Sequence, residues 1–450
     1  MATLFFSEVL GSIADRGAAI LGLAPGGRAT SQAAIALCHR LLSSQGEAAG
    51  IALSQQVLSV FAKLDQAEKG AFFQKLQKEF GVSDDRLKAA ARAYLDTPDP
   101  ANLAEVTEAT RPRRQDLLTR LNHAPDGMQA LMRMRTDLLR CMRDRPDLRA
   151  VDNDFVALFS SWFNRGFLEL RTIDWNSPAT LLEKIIRYEA VHGISDWDDL
   201  RARIDPPDRH VFGFFHANLG DEPLIFVEVA LMAEMPSDIA TILDRDDPPL
   251  DASDARVGVF YSISNCQNGL VGIPLGNFLI KQVVETLRRQ YPRLSQFATL
   301  SPVPTLAGWA LSQDDVPLDD AARALLQAVG KGDDDSTETA ARLEKLIPQL
   351  TAWYLLNVKN AKGLPSDPVA RFHLGNGAAL ARINWPGDLS PQGRSNAFGA
   401  MVNYEYRLEK IEQNHEGFAN HATVAASVPV QRLARALETG RRRMAGAARD

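Results

Sequence analysis

The sequence predicts an α+β protein, in which an N-terminal all-α helical bundle is followed by a mixed α/β domain. Up to about residue 165, apolar residues recur at helical spacing almost throughout. Beyond about residue 200, short β-type runs at 211–215, 224–231 and 257–264 replace that pattern. The chain has 450 residues, which is too long for one ordinary core. We therefore expect two domains, residues 1–165 and residues 166–450.

Two stretches represent the helical bundle. In AFFQKLQKEFG the apolar residues share one helical face, and Gly81 marks the predicted end. A second helix, from about Met128 to Met142, buries its leucines and methionines on one side. Its arginines are predicted to lie largely on the solvated face, an interpretation that we prefer to a nucleic-acid patch. They are Arg133, Arg135 and Arg140.

The pattern changes after WNSPATLLEKIIRYEAVHGISDWDDL. This segment predicts a helix that Ser177 caps, with Pro178 at the first helical position. The β-type runs 211–215 and 224–231 are joined by HANLGDEP, which is polar and rich in turn-forming residues. We expect an antiparallel hairpin at this point.

The central part of the second domain combines strands with a crossover helix. After the run 257–264, an amphipathic helix is predicted from about Leu275 to Gln290, followed by a short strand at 297–301. This order of elements indicates an α/β or α+β arrangement. Disorder is expected only at 330–339 and at the terminus TGRRRMAGAARD.

Composition excludes several classes of partner. With 50 Lys+Arg against 56 Asp+Glu, the net charge is -6, so no overall basic field attracts nucleic acid or an anionic membrane. No window approaches 18 uninterrupted apolar residues, and no secretory signal is apparent, so we expect no membrane span. The three cysteines Cys38, Cys141 and Cys266 are widely spaced, which predicts neither a disulfide framework nor a thiolate zinc site and fits a reducing cytoplasm.

The run SISNCQNGLVGIPLGNFLIKQVVETL is the most informative local feature. Gly269, Gly272 and Gly276 punctuate the connection between a predicted strand and a helix. Such a loop can direct backbone N–H groups at a phosphate near the positive end of the helix. Neither dinucleotide-binding nor P-loop spacing is present, so a plain tight connection is the alternative.

Longer motifs add a family resemblance. FYSISNCQNGLVGIPLGNFLIKQVVETL, FATLSPVPTLAGW, DPVARFHLGNGAALARINW and GDEPLIFVEVALM closely resemble the malonyl-CoA decarboxylase family, in this family's order, over about residues 165 to 410. The resemblance implies a catalytic domain of the acetyltransferase (GNAT) superfamily that converts malonyl-CoA to acetyl-CoA and CO2 without a metal or an organic cofactor. It also implies a homotetramer built as a dimer of dimers.

The resemblance also assigns residues. In this fold a V-shaped opening between strands admits the pantetheine arm, and the loop before the crossover helix binds the pyrophosphate of coenzyme A. Here that substrate-binding loop is Val271, Gly272, Ile273, Pro274, Leu275, Gly276 and Asn277. The catalytic pair carries over to Ser301 in TLSPVP and His373 in RFHLGNG, with the histidine as proton donor and the serine as proton acceptor.

The residues themselves are compatible with these roles. Ser301 is at the end of a short predicted strand, and two prolines follow it closely. His373 lies near the end of a short helix that Asp367-Pro368 begins. Loss of CO2 from a malonyl thioester leaves an enolate, so the site must stabilise charge on the thioester oxygen and then protonate carbon. A histidine with a pKa near neutrality is suited to that transfer.

Other polar residues are weaker candidates. Cys266 is expected to be a packed thiol, because no neighbouring cation activates it. His210 and His216 flank a strand, but no third ligand has convincing spacing, so no metal site is expected. His415 and His421 are expected at the surface. Candidate supporting residues are Asn376, Asn384 and Tyr404.

Two other functions remain open at this stage. The acetyltransferase scaffold usually transfers an acyl group, so an acyl-CoA-dependent acyltransferase is one alternative. A catalytically silent acyl-CoA sensor is the other, although the presence of both Ser301 and His373 argues against it. Neither a mitochondrial leader nor a peroxisomal tripeptide is apparent, which predicts a cytoplasmic enzyme.

Overall fold

The structure is a computed structural model that describes residues 29–244, 248–273, 275–312, 316, 318, 320–331 and 337–447. The chain forms two compact units. The first contains the chain up to Glu169 together with His216–Glu222 and Gln267–Pro274. The second contains Leu170–Phe215, Pro223–Cys266 and the chain from Leu275.

The first unit is helical, as the sequence predicted. Its helices are α1 (Ser31–Ser43), α2 (Glu47–Ala62), α3 (Gln66–Glu79), α4 (Asp84–Asp96), α5 (Pro100–Ala109), α6 (Arg113–Leu121), α7 (Gly127–Cys141) and α8 (Arg149–Trp162). Helix α3 is the one expected from AFFQKLQKEFG. Its Phe72 and Phe73 pack edge-to-face against Phe61, with ring centroids 5.1 and 5.6 Å away. Such aromatic packing fixes α2 against α3.

The prediction that Arg135 lies on the solvated face of α7 was wrong. Its side chain is buried, whereas Arg133 and Arg140 are exposed. The Arg135 guanidinium donates to Asp152 Oδ1 at 2.8 Å and to the carbonyl oxygen of Gly269 at 2.7 Å. A buried arginine is stable only when it is paired and hydrogen-bonded, and these contacts provide both. The arginine therefore anchors the start of the glycine-rich loop.

The second unit is built on a mixed eight-stranded sheet. The strands are β1 (Leu168–Ile173), β2 (Arg209–His216), β3 (Ile225–Met232), β4 (Val257–Asn265), β5 (Gln296–Thr299), β6 (Ser301–Pro302), β7 (Ala379–Asn384) and β8 (Met401–Glu405). Their order is β1-β2-β3-β4-β5-β8-β6, with β7 also paired to β8. Only β4 and β5 are parallel among the pairs whose register is described. A helical first region followed by a mixed sheet confirms the predicted fold class.

Helices cover this sheet. They are α9 (Ala179–Tyr188), α10 (Trp197–Ile204), α11 (Ala240–Leu243), α12 (Gly276–Gln290), α13 (Leu306–Ser312), α14 (Asp320–Lys331), α15 (Thr337–Asn357), α16 (Pro368–Gly375), α17 (Pro391–Ala397), α18 (Ile411–His421) and α19 (Val428–Ala447). Helix α12 is the expected crossover between the parallel strands β4 and β5. Among the residues that the structure describes, no helix is long and apolar enough to span a membrane.

Several local predictions are confirmed and others need correction. The hairpin of β2 and β3 is antiparallel, as expected. The single helix predicted after Asn176 is two, α9 and α10, and α9 begins after Pro178. Ser177 does not cap α9, because its hydroxyl accepts a bond from the N–H of Asp174 at 3.1 Å. Of the segments expected to be disordered, the terminus is helical up to Ala447, and residues 332–336 lie outside the described part.

The sheet opens between its two parallel strands. β4 and β5 pair only as far as Phe260 and Thr299, whereas β4 continues along β3 to Asn265. The chain after β5 instead forms β6, in which Ser301 pairs with Val402 of β8. Two strands that diverge leave a gap at their carboxyl ends, and this gap is the type of opening that the acetyltransferase resemblance implies.

Candidate active site

Ser301 and His373 meet in the second unit although 72 residues separate them in sequence. Ser301 begins β6 at the opening of the sheet, and His373 lies in the last turn of α16. Ser301 Oγ is 3.1 Å from His373 Nε2, and both side chains are buried. The strand end and the helix end thus bring the two predicted residues into hydrogen-bond contact.

Neighbouring hydroxyl groups fix the direction of this hydrogen bond. Ser301 Oγ donates its proton to Thr299 Oγ1 at 2.8 Å, so it accepts from His373 Nε2. The other ring nitrogen, Nδ1, lies 2.8 Å from the hydroxyl of Tyr406, which must then donate. A continuous chain therefore runs from Tyr406 through His373 and Ser301 to Thr299, with the imidazole proton on Nε2.

Burial sets the charge of the histidine. It lowers the pKa of His373 from its usual 6.5 to about 3, because the charged ring would lose its hydration. The Tyr404 ring stacks on the imidazole with centroids 4.8 Å apart, which adds to the dry surroundings. The expectation of a histidine that titrates near neutrality therefore does not hold for this arrangement. His373 is a neutral hydrogen-bond donor at pH 7.

Polar contacts at both ends of α16 hold His373 in place. At the first end Asp367 caps the helix by accepting from the N–H of Ala370 at 2.8 Å, and its carboxylate also accepts from Thr305 Oγ1. At the other end the ring Nδ1 of His415 donates to the carbonyl oxygen of Gly375 at 2.6 Å. His415 is therefore a half-buried helix cap and not the surface residue that the sequence suggested.

The pair faces a cavity of about 330 Å³. Its lining residues are Val191, Phe260, Tyr261, Ser262, Ile263, Asn265, Ser301, Pro302, Pro368, Val369, Phe372 and His373. None of them is a lysine or an arginine. Cys266 donates its N–H to Leu224 across the β3 edge, so strand alternation turns the amides of Ile263 and Asn265 toward the opening. The cavity thus combines apolar walls with backbone dipoles.

The proposed coenzyme A loop begins with a left-handed turn. Val271 is exposed, and Gly272 has a positive φ of 83° with open space around it. Ile273 is buried, while Pro274 lies outside the described residues. This first part of the loop needs glycine for its left-handed turn.

The second part of the loop begins α12. Leu275 is the N-cap residue and makes no side-chain capping bond, and Asn277 belongs to the first turn. Gly276 has a packing role in addition to the expected phosphate approach, which stays a prediction: a Cβ there would lie 2.3 Å from the Phe372 ring. The glycine therefore lets α12 pack against the residue that precedes His373.

The remaining candidates have structural environments. Cys266 is buried, as expected, and its thiol contacts the carbonyl oxygen of Ser264. Burial lowers the pKa of His210, and His216 Nδ1 accepts from the N–H of Asn218 at 3.2 Å. The side chain of Asn384 donates a hydrogen bond from Nδ2 to Asn403 Oδ1 at 2.8 Å. In the described ranges no group of three or more His, Cys, Asp or Glu side chains is arranged to hold a metal ion.

Sequence reasoning missed Thr299 and Tyr406. Each lies two residues in sequence from a residue already selected, Thr299 before Ser301 and Tyr406 after Tyr404, at or beside a strand end. Alternate residues of a strand share a face, so this spacing was the available signal. The hydrogen bonds of these two hydroxyl groups depend on the orientation of the His373 ring, which the sequence does not show.

Comparisons with known proteins agree on one family. The malonyl-CoA decarboxylase C-terminal domain model matches residues 166–444, and the N-terminal domain model matches residues 80–163. A malonyl-CoA decarboxylase structure from Rhodopseudomonas palustris is 50% identical with a TM-score of 0.84, over 90% of this chain and 99% of that one. One from Agrobacterium vitis is 49% identical with a TM-score of 0.83, over 88% and 98%.

A curated relative points the same way. The mitochondrial malonyl-CoA decarboxylase of Rattus norvegicus is 30% identical over 407 residues, which is 82% of each chain.

Proposed function

Since the chain belongs to the malonyl-CoA decarboxylase family, we propose that it removes the free carboxyl group of malonyl-CoA as CO2 and that Ser301 and His373 perform the chemistry. The observation that carries the proposal is their contact at the wall of a small cavity with a directed hydrogen-bond chain behind it. A carboxy-lyase of this kind needs one proton donor and one place for enolate charge.

The reaction has two steps. The bond between C2 and the carboxylate carbon breaks, CO2 leaves, and the electron pair moves into the thioester to form an enolate. The enolate then takes one proton at C2 and becomes the methyl group of acetyl-CoA. The amides of Ile263 and Asn265 face the opening and offer dipoles to the thioester oxygen. Catalysis then depends on stabilising the enolate more than the substrate.

A neutral His373 can serve as the acid. A thioester enolate is a stronger base than imidazolate, so the Nε2 proton can move to C2 even from the uncharged ring, which becomes imidazolate. The Tyr406 hydroxyl, which donates to Nδ1, stabilises the electron-rich ring that remains. Ser301 accepts from Nε2 in the free site and is placed to orient the carboxylate when its hydroxyl turns to the substrate, which leaves the Nε2 proton of the fixed ring available to C2. Bulk water reprotonates the ring after product release.

The reaction cavity favours conversion of the substrate carboxylate into neutral CO2. Its lining has no lysine or arginine, so a bound carboxylate would exchange hydration for apolar walls and hydroxyl groups. Decarboxylation converts this localised charge into neutral CO2 and a delocalised enolate, which such surroundings accept more readily. We propose that no metal or organic cofactor participates. Activity that survives dialysis against a chelator would support this, and activity that metal restores would contradict it.

We propose that the backbone of Val271–Asn277 holds the coenzyme A pyrophosphate. The support is the left-handed Gly272 and the start of α12, which has no side-chain cap.

One assay separates the candidate functions. The chain is incubated with malonyl-CoA alone, and both acetyl-CoA and CO2 are measured. Equal production of the two supports a decarboxylase. Free coenzyme A that is released without CO2, and only when an amine acceptor is added, would favour an acyltransferase, and tight binding without turnover would favour a sensor.

Assembly is a further part of the proposal. We propose that residues 1–165 mediate a homotetramer and that residues 166–450 form the catalytic domain. Helix α4 has no buried residues, and Leu95 and Leu103 are exposed, which leaves apolar area for contacts. A light-scattering mass near the 49.4 kDa of one chain would reject it. A cytoplasmic location stays a proposal, because the rat relative is named as mitochondrial; cell fractionation tests it.

A further inference from the structure

The turn that follows α9 separates two cavities of the second unit. Val191 in this turn lines the reaction cavity of about 330 Å³ and also a second cavity of about 580 Å³. The second cavity is lined, among others, by His192, Gly193 and Leu389. In the described part of the chain, Val191 is the one residue that both linings share. It therefore forms the wall between the two spaces.

The amide side of this turn is fixed by the buried carboxylate of Glu189. Its Oε1 accepts from the N–H groups of Val191 at 2.9 Å and His192 at 2.8 Å. The same carboxylate accepts from the hydroxyls of Ser262 at 2.7 Å and Ser264 at 2.9 Å. These bonds tie the turn to β4, the strand that carries the lining residues on the opposite side of the opening.

The carbonyl side is fixed by Arg203. Its guanidinium donates to the carbonyl oxygens of His192 at 2.7 Å and Gly193 at 3.3 Å. The guanidinium itself pairs with Asp199 at 3.1 Å and with the fully buried Glu228 at 3.2 Å. Donors and acceptors of the turn are thus both satisfied by buried ionic side chains. Because both Glu189 and Arg203 bond the turn, a movement that makes room for a larger ligand would break buried ionic hydrogen bonds and cost free energy.

We propose that Val191 determines the largest acyl group that the reaction cavity accepts, and that Glu189 and Arg203 are positioning residues that hold it in place. The proposal rests on the proposed function, since it takes Ser301 and His373 as the reaction centre. A malonyl group with an alkyl branch at C2 needs more of the space that Val191 bounds. Shortening Val191 differs from shortening other wall residues because empty space lies behind it.

The experiment compares two matched valine variants, Val191→Ala and Val369→Ala. Both shorten a valine of the reaction cavity by the same two methyl groups, but Val369 does not line the second cavity. The substrates are malonyl-CoA and its C2-methyl, C2-ethyl and C2-propyl derivatives, and kcat/KM is measured for each. The quantity compared is the ratio of kcat/KM for each branched substrate to that for malonyl-CoA.

The two variants should differ with chain length. In Val191→Ala the ratio should rise about tenfold or more for the ethyl and propyl substrates, since one methylene in an apolar pocket is worth 10-fold or more. In Val369→Ala the ratio should rise for the C2-methyl substrate at most, and not for the C2-ethyl or C2-propyl substrates. Equal gains in the two folded variants, or no gain in either, would overturn the proposal. A wild-type chain that does not decarboxylate malonyl-CoA would instead overturn the proposed function.

Inhibition measurements and three further variants give independent checks of the proposal. Inhibition by acetyl-CoA and butanoyl-CoA reports the same size limit without chemistry, and butanoyl-CoA should gain about tenfold in Val191→Ala relative to acetyl-CoA. Val191→Leu should lower the ratio for the methyl substrate. Glu189→Gln should raise the ratio for the ethyl substrate while Glu189→Asp restores part of the selectivity. Ratios that stay at the wild-type value in all these variants would reject the role of the turn.

Discussion

The proposed catalytic pair and the proposed coenzyme A loop differ in which part of the chain they present. Ser301 and His373 are buried side chains whose polar atoms bond to other side chains. The loop from Val271 is exposed at its start and presents backbone, with Gly272 in a left-handed conformation. A proton donor needs a fixed direction, whereas a phosphate needs several N–H groups and close access. Substitutions should therefore affect the chemical step in one region and binding in the other.

The largest effect should come from the pair itself. His373→Asn and Ser301→Ala should each lower kcat by roughly two to four orders of magnitude and change KM much less, as is usual for acid-base groups. Steady-state rates of acetyl-CoA formation measure both constants. A folded single variant with near-normal kcat would remove that residue from the chemical step.

The double variant sharpens this assignment. If both residues act on one transition state, Ser301→Ala with His373→Asn should be only slightly worse than the poorer single variant. Losses that simply multiply would indicate independent roles.

The second-largest effect should appear at Tyr406. Tyr406→Phe removes the donor to His373 Nδ1, so the ring can place its proton on the wrong nitrogen. We expect kcat to fall about 10- to 100-fold with KM nearly unchanged. Tyr404→Phe is the matched control, because it keeps the ring stack on His373 and loses a hydroxyl that has no hydrogen-bond partner in the described structure. Equal losses in the two variants would contradict the directed chain.

Two glycines of the loop should respond differently. Gly272→Val strains a positive φ in open space, so KM for malonyl-CoA should rise about three- to tenfold with little change in kcat. Gly276→Val adds bulk against the Phe372 ring and should lower kcat as well as raise KM. Unchanged KM in a folded Gly272→Val would remove the loop from the binding site. Equal changes of kcat and KM in the two variants would contradict different roles for the two glycines.

The smallest effect concerns stability at low pH. Burial lowers the pKa of His373 to about 3, so between pH 6.5 and 3 the unfolded chain binds a proton that the folded chain does not. The free energy of unfolding should therefore fall as pH drops through this window. Urea unfolding at pH 7 and pH 5 should show a smaller fall for His373→Asn than for wild type. The exposed His421→Asn is the control, and an equal fall in both variants would contradict the buried, neutral ring.

Much of the fold followed from local pattern. The hairpin of β2 and β3 and the crossover helix α12 were predictable because alternation and helical spacing are local signals. The break between α9 and α10 was not, because Glu189 and Arg203 fix it through residues distant in sequence. Arg135 was misplaced for a similar reason: its partners are Asp152 and a backbone carbonyl 134 residues away.

The contact between the two proposed site residues was expected, but the direction of their hydrogen bond was not. Ser301 and His373 came from the family resemblance, since a lone serine and a lone histidine define no geometry. The tautomer, the low pKa and the contribution of Tyr406 depend on burial and on angles that sequence does not contain. Gly276 shows the same limit, because its reason for being glycine is an aromatic ring almost one hundred residues further along the chain.

The fixed Nε2 proton has a stereochemical consequence. His373 is held by α16 and by Tyr406, so under the proposed mechanism its proton reaches the enolate from one side of the cavity. The two faces of the planar enolate are then not equivalent, although malonyl-CoA gives a methyl group that conceals the difference. When C2 carries an alkyl branch and the reaction runs in D2O, the product acquires a new stereocentre. A single enantiomer of that deuterated acyl-CoA would be the trace of one immobile acid.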